Sequence, residues 1–129
     1  MMERKIPAPA VNAENKAYFD ATSQGKLRLK FCNACNAFHH YPRAHCPFCF
    51  SGKTEWRDAR GTGTVYTYSV LRRGVPEPYC IAYVELDEGV SMLTNIVDCN
   101  LDGVKIGMKV KVTFKPTDGG PPVPMFTPV

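Results

Sequence analysis

The chain has 129 residues, 44% of them hydrophobic and 22% charged, and a formal net charge of +4. That is the composition of an ordinary globular protein of one domain or two small ones, and no stretch approaches the ~20 apolar residues of a membrane-spanning helix. The charge is lopsided: residues 1–58 hold nine Lys/Arg against five Asp/Glu, and residues 59–129 seven against seven. Attraction for anions therefore belongs to the first half, and the excess falls well short of a nucleic-acid-binding arm.

Met1-Met2-Glu3-Arg4-Lys5 leads into no apolar stretch, so no secretory signal is read there. Pro7 and Pro9 make residues 1–11 an extended arm. Asn12 is the expected cap of a helix in which Ala13, Ala17, Tyr18 and Ala21 recur at helical spacing, Phe19 widens the stripe and Gly25 ends it. About three helical turns are marginal alone, so the Tyr18/Phe19 face must dock, either on the neighbouring segment of the chain or on a partner subunit. Lys26 to Phe31 alternates charged and apolar residues, the pattern of a half-exposed strand.

That strand runs into Cys32-x-x-Cys35, and ten residues later comes Cys46-x-x-Cys49. Two such hooks supply the four thiolates of a tetrahedral metal site with sulfurs about 2.3 Å from the ion, and Pro47 stiffens the second turn. Structural Zn2+ is the expected occupant. Iron in a rubredoxin-type S4 site is the rival, since the same geometry suits both. Asn36 and Phe50 stand where such hooks usually continue with glycine, and Phe tolerates the left-handed turn poorly. His39, His40 and His45 are spare imidazoles, expected at the surface or outside the ligand set. Thr54-Glu55-Trp56-Arg57 reads as the returning strand, with Trp56 covering the metal's apolar side. A lobe of roughly 30 residues seldom folds without such support, which makes the metal part of the folding energy. Cys80 and Cys99 lie in apolar runs and are expected as small core residues; free thiols beside a thiolate site point to a reducing, cytoplasmic setting.

Arg60-Gly61-Thr62-Gly63-Thr64 marks a boundary, after which the period becomes two. Strands are expected over Val65–Leu71, Tyr79–Leu86, Ser91–Val97 and Met108–Lys115, with a short fifth around Pro124–Thr127. Met108, Val110, Val112 and Phe114 face the core and Lys109, Lys111, Thr113 and Lys115 face water. Asp87-Glu88-Gly89 is a hairpin turn, its acids explained as a solvated tip. Residues 98–107 form a crossing loop. The fold is therefore mainly β: an N-terminal arm and helix (1–25), a rubredoxin-like zinc ribbon (26–59) and a five-stranded barrel (60–129), with the OB-fold ahead of an SH3-like barrel.

Taken in order, Tyr18-Phe19, Gly25-Lys26-Leu27, both hooks, Tyr41-Pro42-Arg43, Gly61 to Tyr68, Val84 to Gly89 and Ile106 to Val110 resemble the zinc-ribbon plus OB-fold proteins associated with acyl-CoA metabolism, long catalogued as a domain of unknown function. The resemblance runs almost end to end. It implies a non-catalytic accessory subunit that helps hold acyl-CoA beside a thiolase-like, hydroxymethylglutaryl-CoA synthase-like or hydratase-like enzyme.

The residues permit that role. A 3′-phospho-ADP group asks for Arg or Lys donors and adenine for a flat aromatic surface. Tyr66 and Tyr68, read as sharing one strand face, Arg72 and Arg73 after them, and Tyr79 closing the loop are the candidate ligand residues, with Arg43 between the hooks a second patch. The plain readings stand beside this one: Tyr66 and Tyr68 as core, Arg72-Arg73 as a solvated turn. Catalysis by the chain alone is not expected, because the thiols outside the hooks lie in apolar runs that raise their pKa and a closed S4 site leaves no position for water. The competing function is a nucleic-acid-binding module, for which the barrel's zero net charge is unfavourable. A rubredoxin-like electron carrier is a third, and its visible colour would identify it.

Overall fold

The computed structural model describes residues 6–129, and the first five residues of the expected arm lie outside them. Helix α1 (Lys16–Thr22) is shorter than the periodicity suggests. Asn12 caps a turn ahead of the helix, its side-chain oxygen accepting from the amides of Glu14 and Asn15, both at 3.0 Å. Gly25, at φ +75°, ends the segment as read, and the Lys26 amide returns to the Ala21 carbonyl. Tyr18, Phe19, Ala21 and Thr22 are buried, whereas Ala13 is exposed.

The ribbon is an antiparallel sheet of β1 (Arg28–Cys32), β2 (Ala37–His39) and β3 (Thr54–Asp58) in the order β2-β1-β3. β2, three residues long, offers no alternation to read in the sequence. Leu29 and Phe31 turn to one face, where the Arg57 guanidinium lies 3.6 Å over the Phe31 ring and Phe38 meets it edge-on. On the other face Trp56 pairs with Lys30 and carries its ammonium at 4.5 Å. Trp56 also packs against the core shared with the barrel.

Beyond the linker, β4 (Thr62–Leu71), β5 (Tyr79–Leu86), β6 (Ser91–Ile96), β7 (Lys109–Lys115) and β8 (Val123–Pro128) close a barrel in the order β4-β5-β6-β8-β7. A meander of three strands, a fifth inserted beside the third and a fourth returning to the first is the OB-fold arrangement. β4 can pair with both β5 and β7 because Gly63 lets the strands approach: a Cβ there would lie 2.5 Å from the Glu85 carbonyl oxygen. β7 keeps Val110 fully buried with Lys109 and Lys111 outside, as its alternation requires. β8 meets β6 at the single parallel pair Ile96–Phe126. The expected crossing loop holds one 3-10 turn (Leu101–Gly103).

One apolar core runs through both lobes, from Tyr18, Phe19, Leu27 and Leu29 to Val65, Val84, Ile96 and Phe126. The junction is also latched by the β5–β6 turn. Glu88 accepts from the Arg60 amide at 3.0 Å, the Thr62 hydroxyl donates to Asp87, and the Asp87 amide donates to the Thr62 carbonyl. Asp87 and Glu88 are therefore bound to the linker, while Asp87 stays exposed to solvent as expected of a turn. At the opposite end the Asp118 amide donates to the Ile6 carbonyl, pinning the arm beside the β7–β8 loop.

Candidate metal centre and ligand surfaces

β1 delivers Cys32 at its last residue, and the turn after it returns Cys35 to the same point. The Asn36 amide closes that turn on the Cys32 carbonyl, and the Phe50 amide closes the second on Cys46, each at 2.8 Å. Asn36 (φ 56°) and Phe50 (φ 65°) both take the left-handed conformation the turns demand. The Cys32 and Cys49 sulfurs are 3.5 Å apart and those of Cys35 and Cys46 3.7 Å, with all four within 4.8 Å of one another. Four sulfurs held 2.3 Å from a common centre lie about 3.8 Å apart, so the set fits a tetrahedral ion. The Cys35 amide foremost, with that of Ala34, draws the Cys32 thiol down to about 7, whereas burial foremost pushes the Cys35 thiol up to about 12. These four cysteines hold one structural zinc, whose positive charge balances the clustered sulfurs.

The histidines stay outside this ligand set, but two of them are not surface groups. His39 is buried, its Nε2 accepting from the Arg43 amide at 3.4 Å. His40 packs on Tyr18 and Tyr41, and burial foremost, then His39, pushes its pKa down to about 4. His45 is exposed. The segment between the hooks seats the helix: Asn15 donates to the Tyr41 hydroxyl at 2.7 Å, and Glu14 accepts from the Ala44 amide and from Arg43. Tyr18/Phe19 thus docks on its own chain.

That seating uses Arg43, which is ion-paired with Glu14 rather than free for a phosphate. Arg28 is likewise paired with Asp58. Two of the basic residues near the first hook are thereby paired with carboxylates.

Tyr66 and Tyr68 do not share a face. A bulge between Val65 and Thr67 shifts the register, so that Thr67 opposes outward Tyr83 while Tyr68 opposes inward Ala82. Tyr66 is exposed and Tyr68 partly so, and neither is core. Arg72 pairs with Asp102, and Arg73 is exposed beside it. Tyr79 opposes Leu71 and lines a cleft of about 790 Å³ with Ile6, Ile96, Cys99, Leu101 and Met125. Lys115, held by Asp98 at 2.6 Å, lies on its wall. Thus Arg72 and Tyr79 gather at one end of the barrel, with Arg73 following Arg72 in sequence, while Tyr66 and Arg43 lie elsewhere. This cleft escaped the sequence because its walls come from the arm, four strands and three loops. Burial foremost raises the pKa of Cys80 and Cys99, as their apolar runs imply.

A closed S4 hook pair leading into an OB barrel defines a zinc-ribbon–OB-fold protein. Models of the ChsH2 rubredoxin-like zinc ribbon domain and the ChsH2 C-terminal OB-fold domain match residues 19–55 and 56–115. The chain belongs to this family, which includes the DUF35 domain-containing scaffold proteins. One of these, from Methanothermobacter thermautotrophicus, is 36% identical over 65% of this chain and 68% of its own length. A probable enoyl-CoA hydratase alpha subunit from Thermomonospora curvata is 36% identical over 95% of this chain, which spans 40% of that longer protein. Among solved structures, the Ltp2-ChsH2(DUF35) aldolase matches with TM-score 0.80 and 36% identity, covering 93% of this chain and 98% of that one. A DUF35 protein of unknown function from Sulfolobus solfataricus shares the fold at TM-score 0.66 and 19% identity, over 92% of this chain and 87% of its own. No helix among the described residues is long and apolar enough to cross a membrane.

Proposed function

We propose that this chain is a non-catalytic, cytoplasmic accessory subunit that holds acyl-CoA for a thiolase-like, hydroxymethylglutaryl-CoA synthase-like or hydratase-like enzyme. The cleft at the Tyr79 end of the barrel carries the reading. Its volume lies within the range of ligand pockets and its walls are mainly apolar, suiting a pantetheine or acyl chain. Arg73 lies two residues after Leu71, the partner of cleft-lining Tyr79, and is exposed, so that it stands ready for phosphates while Arg72 is paired with Asp102. The names of the relatives, a hydratase alpha subunit, scaffold proteins and an aldolase complex, agree with a role beside an enzyme.

A catalytic role has little to work with. The hook sulfurs are committed to metal, the other two thiols have raised pKa values, and Asp87 and Glu88 are bound to the linker. The test is native purification with identification of co-eluting chains, joined to titration of the purified protein with CoA and a short acyl-CoA. Recovery of an acyl-CoA enzyme, with binding weakened about tenfold by Arg73→Glu, is expected; a charged contact of this kind is worth about 1.5 kcal/mol. Recovery of the chain alone or with RNA overturns the proposal. Exposed Tyr66 and Tyr83 favour a second reading, stacking of single-stranded nucleic acid on the barrel. Steeply salt-dependent binding of single-stranded DNA would select it.

A further inference from the structure

Among the described residues, five of the eleven exposed large hydrophobic residues lie together on the outer surface of the barrel. The Gly107 amide donates to the Val65 carbonyl at 2.8 Å, which sets Ile106 beside Tyr66. The bulge presents Tyr66 next to Thr67, Thr67 opposes Tyr83, and Tyr83 opposes Leu93. Ile106, Tyr66, Tyr83 and Leu93 thus form one row, 69%, 64%, 47% and 58% exposed. Ile81 extends it, and a depression of about 150 Å³ lined by Thr67, Ile81, Tyr83 and Leu93 opens there.

We infer that this face is where the enzyme subunit of the proposed complex docks, and the inference rests on that reading. Five side chains of roughly 200 Å² each, about half exposed, leave on the order of 550 Å² of apolar surface. That is most of the ~800 Å² that a standard interface takes from each partner. Its centre is tyrosine-rich and uncharged, with Lys105, Lys109 and Glu85 only around the rim, the make-up of a protein interface with a dry middle. The depression would take one aliphatic or aromatic anchor from the partner. The edge of β6 adds to the site, since β8 reaches that strand only at Ile96 and leaves Ser91–Thr94 without a ladder partner on that side. The occupant is therefore a protein with an apolar knob and carboxylates facing Lys105 and Lys109. A nucleic acid would need a longer basic track than two lysines.

The experiment measures binding of the full zinc-loaded chain to the co-purifying acyl-CoA enzyme, once that enzyme has been identified by mass spectrometry. Leu93→Asp and Ile106→Asp are compared with Phe48→Asp, an equally exposed change on the ribbon; circular dichroism and zinc content verify folding. Roughly 30-fold or greater weakening by either barrel variant, with little effect of Phe48→Asp, is expected for residues at the centre of an interface. Undiminished binding by both barrel variants overturns the inference while leaving the accessory-subunit reading intact. So does a barrel variant that dissolves a self-dimer in sedimentation without touching the enzyme complex. If no enzyme is recovered, both fall together.

Discussion

The two lobes of this small protein are stabilised by different means. The barrel closes five strands over fully buried Val84, Val110 and Phe126, so its stability comes from apolar area removed from water. The ribbon has three short strands, a few aromatic–cation contacts and a sulfur cluster. Its apolar residues Leu27 and Leu29 are shared with the neighbouring lobe. A lobe of that size reaches stability only by adding metal–ligand bonds, and it tolerates strain at Phe50 that the barrel avoids by placing glycine at most of its tight turns.

The largest test of that contrast is removal of zinc by chelation or by Cys46→Ser. On the order of 10 kcal/mol of metal-binding energy is lost from the ribbon. Amide resonances of residues 28–58 should collapse while those of the barrel strands persist. Collapse of both lobes together would show that the shared core, not the metal, is the common support. Next, Gly63→Ala forces a Cβ against the Glu85 carbonyl and should cost about 3 kcal/mol in chemical denaturation, with zinc content unchanged.

A smaller effect is expected from acid. Buried His40 has its pKa lowered to about 4, against about 6.5 in an unfolded chain. As pH falls from 6.5 towards 4, the unfolded chain takes up a proton that the folded one refuses, so stability declines by about 2 kcal/mol after allowance for partial water access. His40→Phe should remove that slope in pH-dependent melting. Below it, Glu14 adds a further loss: the Ala44 amide foremost, then Arg43, hold its carboxyl below the usual value, so its contribution disappears as pH falls through the lowered one. The smallest effect has the opposite sign. Phe50 is 79% exposed in a left-handed conformation, and Phe50→Gly should stabilise the isolated chain by about 0.5–1 kcal/mol. A lowered melting temperature would mean that the Phe50 ring contributes more than its exposure suggests.

What the sequence disclosed depended on how local each signal was. The hooks were legible because ligand spacing is a short-range property, and the barrel strands because period two persists over Tyr79–Leu86 and Met108–Lys115. The bulge at Tyr66 carries no such mark, and it reversed the reading of Tyr68. Arg43 and Arg72 looked like free cations because Glu14 and Asp102 lie 29 and 30 residues away along the chain. Asp87 and Glu88 looked idle for the same reason, their partners being Thr62 and Arg60.

That last pair of contacts has a mechanical consequence. With the β5–β6 turn gripping the linker and a single apolar interior beneath, the two halves are held to each other and act as one bracket. A subunit seated on one arm of the bracket would find the thiolate knuckle already aimed in a fixed direction. The spacing between two bound macromolecules would then be dictated by this chain alone.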